Sequence, residues 1–193
     1  RDALARLAEH RVLVLSGVNM MDEDEARIIR DWVGQGGCLY ASGSTSLVDS
    51  RGRLQKDFLL GDVFGVSLRR IDWHNRPHYL SPTTEGQALF GTFTPKYPAF
   101  SSGYGLEVEA LPAAQVLATT TLPWPAPDAS RFSSIHSNPP WQSTSRPEVV
   151  FHRFGQGRVV YCSSLLELVP GLDRTFVQLL HLPDVPDHLS SGI

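Results

Sequence analysis

The sequence predicts an α/β domain of three layers, in which a mostly parallel sheet is flanked by helices, extended by one antiparallel hairpin and joined by long Pro-rich loops. Three observations carry this. Val12-Leu13-Val14-Leu15 is a short, continuously apolar run closed by Ser16-Gly17, the pattern of a strand covered on both faces. An amphipathic helix follows it, and a second apolar run, Cys38-Leu39-Tyr40-Ala41, follows the helix. Two such strands joined by a helix of that length make a right-handed parallel crossover.

Taken in order, Ala3, Leu4 and Leu7 fall at helical spacing ahead of the first strand. Asp22 is placed to cap the crossover helix, with Glu25 three residues on completing a capping box. Ala26, Ile29, Trp32 and Val33 then share one helical face, with Glu23, Arg27, Arg30 and Asp31 turned away. Gly34, Gly36 and Gly37 end that helix. Beyond a polar turn, Phe58 to Phe64 predicts a short helix stopped by Gly65, and Val66 to Ile71 a strand. Periodicity fades from Asp72 to Gly105, where prolines, aromatics and small residues predict a long ordered loop. Leu106–Leu111 and Gln115–Thr121 predict two short strands, and Pro123 to Pro147 a second irregular stretch. Glu148 to Cys162 then alternates about a Gly-Gln-Gly turn, the signature of a hairpin. Leu172 to His181 predicts a last helix with Phe176, Val177, Leu179 and Leu180 facing inward.

At 193 residues the chain is long enough for one well-buried domain. The expected domain covers 1–182, with 72–105 and 123–147 as irregular insertions and 183–193 as a loosely held tail. A net charge of -3 gives no general electrostatic reason to bind nucleic acid or an anionic membrane. No apolar run approaches the ~20 residues that span a bilayer. Cys38 and Cys162 make no disulfide framework and no metal-ligand spacing. Both read as buried strand thiols, which suits a reducing, cytoplasmic setting. The chain opens at Arg1 without an initiator Met, so we expect a piece of a longer polypeptide.

The order and spacing of LVLSGVNMMDEDEARIIRDWVGQGGCLYASGSTSLVDSRGRLQKDFLLGDVFGV, then Leu117-Ala118-Thr119, His136-Ser137-Asn138-Pro139-Pro140 and PEVVFHRFGQGRVVYCSSLLE, resemble the class I glutamine-amidotransferase-like domain of glycoside hydrolases, the β-galactosidase trimerisation domain. The resemblance spans Arg11 to Glu167 and implies a flavodoxin-like, class I amidotransferase-like fold. It further implies a non-catalytic domain downstream of a catalytic barrel, a homo-oligomer (trimer or dimer), and loops set near a neighbour's carbohydrate site.

A working amidotransferase needs a Cys on a sharp strand-to-helix turn, activated by a His. The turn after the second strand is Ala41-Ser42-Gly43-Ser44-Thr45-Ser46 and holds none. Cys38 comes too early. Ser44 stands near the nucleophile position but lacks the Gly-x-Ser-x-Gly frame, so a hydroxyl that caps or binds is the expectation. An active hydrolase using Ser44 or Cys38 is the competing reading. Ligands of open α/β sheets lie outside the carboxyl ends of the strands, here Gly17, Asn19, Ser42, Ser44 and Thr45. His136, Asn138 and Trp141 form a second group, held by consecutive prolines, that suits stacking on a sugar or sealing a subunit contact. A carbohydrate-binding module using Trp73 and Trp141 is the third reading. His74 and His78 are separated by Pro77, which argues against a metal pair on one helix face. Glu148 and Glu167 read as isolated, and no carboxylate pair of the kind glycoside hydrolysis uses is evident. Gly34, Gly36 and Gly37 lie between helix and strand, the reverse of a phosphate loop. Neither a metal nor a cofactor is indicated.

Overall fold

Pairing between the apolar runs decides the architecture. In the computed structural model, which describes residues 6–125, 130–134 and 137–181, with the backbone alone for 72–76 and 102–105, seven strands form one sheet. They are β1 (Val12–Ser16), β2 (Cys38–Ser42), β3 (Val66–Pro82), β4 (Ala99–Ala110), β5 (Gln115–Pro123), β6 (Pro140–Phe154) and β7 (Gly157–Cys162). Their order is β1-β2-β7-β6-β5-β3-β4. β1, β2 and β7 run parallel; every other neighbouring pair is antiparallel. The sheet is therefore mixed and mostly antiparallel, which corrects the expectation of a mostly parallel one. β1 and β2 pair in parallel, as the expected crossover requires, but parallel pairing stops at β7, because a hairpin returns β6 antiparallel to it.

The helices are α1 (Glu23–Gly34), α2 (Gly61–Phe64), α3 (Gln87–Phe90) and α4 (Asp173–His181). The expected capping box opens α1: the Glu25 N–H donates to Asp22 Oδ1 at 2.8 Å, and the Asp22 N–H donates to Glu25 Oε2 at 3.0 Å. Successive residues of β2 and β7 alternate between two cores, as a pleated strand requires. Leu39, Ala41, Val159 and Tyr161 pack with Ala26, Ile29 and Val33 of α1. Tyr40, Val160 and Cys162 pack with Leu166, Leu172 and Leu179 on the other face.

Three local expectations change. β1 is an edge strand, so Val12 and Val14 are 39% and 42% exposed, not covered on both faces. In α4, Thr175 and Leu179 are buried while Val177 is half exposed. The stretches expected to be irregular supply most of β3, the first part of β4 and the start of β6. Their prolines hid them. Pro77 lies where β3 has only β4 beside it, since pairing with β5 begins at Tyr79. Pro140 opens β6, and Pro147 sits at a register shift opposite Thr119. A proline costs no ladder bond at an edge, a strand start or a bulge.

Candidate functional site

Parallel registry gathers the first group of predicted residues. Ser16 pairs with Ser42 and Ser42 with Cys162, so the three strands end in one row and their following loops meet. Gly17 and Gly43 leave their strands at φ +57° and +58°, conformations that glycine adopts without penalty. A Cβ on either would lie 3.3 or 3.0 Å from Leu165 Cδ2. Leu165, from the loop after β7, thus occupies the space above both turns.

The polar groups there satisfy one another. Thr45 is buried; its hydroxyl accepts from the Val18 N–H at 3.1 Å and lies 2.7 Å from the Ser42 carbonyl to which it donates. The Ser44 hydroxyl donates to Asn19 Oδ1 at 2.6 Å. An amide oxygen cannot take the proton from a nucleophile as a general base must, so Ser44 is built as a loop tie. Ser46, at φ +62°, donates its N–H to the Val18 carbonyl and accepts the Leu60 N–H on its hydroxyl.

The residue that sequence reasoning missed is Glu167. Its carboxylate accepts the Ser42 hydroxyl at 2.7 Å, the Tyr40 phenol at 2.6 Å and the Ser16 hydroxyl. It is not isolated, as its sequence neighbours suggested. The available signal was position: a carboxylate five residues beyond a parallel strand falls over the carboxyl ends of its neighbours. Burial, followed by the nearby Cys162 and Glu167, pushes the Tyr40 phenol far above its ordinary value and keeps it a donor.

Glu148 is likewise paired. It is buried at the start of the β6 segment facing β7, with His78 Nε2 at 3.3 Å and a hydroxyl donated by Thr120 at 2.6 Å. Burial acts to raise this carboxyl, but the His78 charge and the hydrogen bonds from His78 and Thr120 outweigh it and hold the group below its ordinary value. His152 is a packing group: its Nδ1–H donates to the Val63 carbonyl at 3.0 Å.

The second predicted group lies elsewhere. Asn138 and Trp141 belong to the loop before β6 and to its first residues, on the antiparallel half; His136 lies outside the described residues. Trp73 has no described side chain. The two cysteines separate as well. Cys162 is buried among Tyr40 and Leu166, and burial raises its thiol well above the ordinary value. Cys38, expected to be buried, is half-buried at the opposite end of β2 from Ser42. There it lines an open cleft of about 340 Å³ with His10, Arg11 and Arg158, its thiol 3.9 Å from the Gly36 carbonyl. An aromatic disulfide reagent should therefore modify Cys38 in the folded chain and spare Cys162 until denaturant is added. Equal labelling rates for the two thiols would contradict this packing.

Among the described residues, no group of three or more His, Cys, Asp or Glu side chains is disposed to hold a metal ion. No helix among them is long and apolar enough to cross a membrane.

No protein-family model and no curated protein sequence matches the chain. Solved structures do. The cold-adapted β-galactosidase from Rahnella sp. R3 superposes with a TM-score of 0.64 at 17% identity, over 89% of this chain and 22% of its own. The β-galactosidase from the haloarchaeon Halorubrum lacusprofundi gives 0.64 at 18%, over 93% and 23%. The α-L-fucosidase isoenzyme 2 from Paenibacillus thiaminolyticus gives 0.63 at 20%, over 95% and 25%. The fold is thus one that occurs as a part of glycoside hydrolase chains, and this chain spans about a quarter or less of their length.

Proposed function

We propose that this chain is a non-catalytic accessory domain of a glycoside-hydrolase-like protein, of the amidotransferase-like kind called the β-galactosidase trimerisation domain, and that it acts through subunit association. The observation that carries the reading is coverage: about nine-tenths of this chain matches less than a quarter of two β-galactosidases. The strand ends support the non-catalytic part. Where an enzyme of this architecture would keep a reactive group open, this chain has Leu165 over two glycines and hydroxyls committed to Glu167 and Asn19. The association part draws support from β1. It is an edge strand with Val12 and Val14 exposed, and Val18 and Met20 in the segment after it are 40% and 54% exposed. Unpaired edges and contiguous exposed apolar groups mark places where chains meet.

The partners of this reading are further copies of the same polypeptide and the catalytic barrel it carries. Its parent's sugar is not assigned, because the fold serves a fucosidase as well as galactosidases. The test is the solution mass of the polypeptide by sedimentation velocity. We expect a trimer or dimer at high micromolar concentration; a monomer there overturns the reading.

A further inference from the structure

Three apolar side chains that belong to neither core meet beside the strand-end loops. Met20 pairs with Val48 in parallel, and Val48 pairs with Leu54 in antiparallel fashion. The Val48 N–H donates to the Asn19 carbonyl at 2.9 Å and the Met21 N–H to the Val48 carbonyl at 3.0 Å. On the other side the Asp49 N–H donates to the Arg53 carbonyl and the Gln55 N–H to the Leu47 carbonyl. The three segments thus form a small ribbon with Val48 in the middle. Residues paired across such a ribbon turn their side chains to the same face. Val48 and Leu54 exchange no hydrogen bonds with each other, the kind of pair whose side chains lie closer.

Burial shows which face is outward. Met21 and Leu47, the neighbours that point the other way, are buried. Met20 and Leu54 are 54% and 52% exposed, with Val48 half-buried between them. The outer face is therefore a continuous apolar strip, of the kind that marks an interaction site.

Charge identifies the partner. The segment of Met20 runs on into Glu23 and Asp24, both exposed, in the first turn of α1. On the opposite flank, Arg51 and Arg53 lie in the turn between Val48 and Leu54, and Lys56 follows Leu54; all three are exposed. Arg27 meets Asp24 at 3.0 Å and Arg53 meets Asp49 at 2.7 Å. These pairs leave the two flanks different, with Glu23 on one and Arg51 and Lys56 on the other. A strip that is acidic along one edge and basic along the other is complementary to itself. Copies placed about a two-fold or three-fold axis bring the acidic edge of each against the basic edge of the next, with the apolar strips turned to the axis. We infer that the ribbon of Met20, Val48 and Leu54 is a contact between copies of this chain, aligned by Glu23 of one copy and Arg51 of the next. The inference rests on the proposed subunit association and gives it a surface.

The test is sedimentation velocity of the full polypeptide and of four variants, with thermal unfolding to show that each is folded. Leu54→Asp puts a charge in the strip and should weaken association by about tenfold or more. Glu23→Lys and Arg51→Glu each set like charges against each other and should weaken it as well. The double variant Glu23→Lys/Arg51→Glu restores opposite signs and should recover most of the loss. If Leu54→Asp does not fold, the charge variants decide, because both of those side chains are exposed. Association of unchanged strength in folded Leu54→Asp, or in both single charge variants, overturns the inference and spares the proposed function. A double variant no stronger than the single ones overturns it too. An unaltered polypeptide that stays monomeric overturns both.

Discussion

His78→Ala is expected to lower the unfolding free energy by about 3–5 kcal/mol at neutral pH, the scale seen when one partner of a buried ion pair is removed. His78 and Glu148 are both buried, on strands that are not neighbours in the sheet. Without the imidazole, the carboxylate keeps the Thr120 hydroxyl at 2.6 Å but loses the charge that offsets its burial. The pH dependence gives the sharper reading. In the unaltered chain the folded Glu148 titrates below its ordinary value of 4.5. Its contribution to stability is therefore fully present above that value and is lost as pH falls through the lower, folded one. In His78→Ala the burial that raises the group, its largest single influence, is opposed only by hydroxyl hydrogen bonds such as that of Thr120. The folded carboxyl then binds its proton more tightly than the unfolded one, and stability falls as pH rises above 4.5. Chemical denaturation across pH 3–8 measures both slopes. A variant whose slope keeps the sign of the unaltered chain would show that the pair does not control Glu148. Adding Glu148→Gln to His78→Ala should recover part of the loss and flatten the slope, because the buried charge is gone.

Gly157→Ala is expected to cost about 3 kcal/mol, or roughly 6–12 °C in Tm for a chain of this size. A Cβ at residue 157 would lie 2.0 Å from the Val33 carbonyl oxygen and 2.5 Å from that of Gly37. Both are backbone atoms at the end of α1, where Gly36 and Gly37 turn the chain into β2, and neither can rotate away as a side chain would. The same contact fastens the hairpin to the helix, since the Gln156 N–H donates to the Gly34 carbonyl at 3.0 Å. Gly52→Ala is the control. Gly52 has φ +78° with nothing within 4 Å of an added Cβ, so it carries the conformational penalty alone, about 1 kcal/mol. Thermal unfolding of the two variants side by side separates steric from conformational cost; an equal loss would refute the close approach of β7 to α1.

Some of this was legible in the residues. The capping box from Asp22 to Glu25 and the apolar face through Ala26, Ile29 and Val33 specify α1 within a few turns of chain. The alternation from Glu148 to Cys162 about Gly155 specifies the last hairpin. At the candidate site, Gly17, Asn19, Ser42, Ser44 and Thr45 were named because a parallel crossover must end its strands side by side. Glu167 was not, because nothing near it in sequence points to Tyr40, 127 residues away. Asn138 and Trp141 are close in sequence, but Trp124 meets Trp141 only through the pairing of β5 with β6.

Acting alone, the sequence determined which segments are helix or strand wherever a single period governs them, because a capping pair or an alternation is complete within one turn or a few pleats. It also determined that no Cys follows β2. Only the tertiary structure decided that the sheet is mostly antiparallel and that β3 and β4 run through prolines. It alone brought Glu148 to His78 and Glu167 to three hydroxyls. Each of these depends on which distant segments lie side by side, and that is settled by burial of two opposite sheet faces at once, a condition no local window of residues contains.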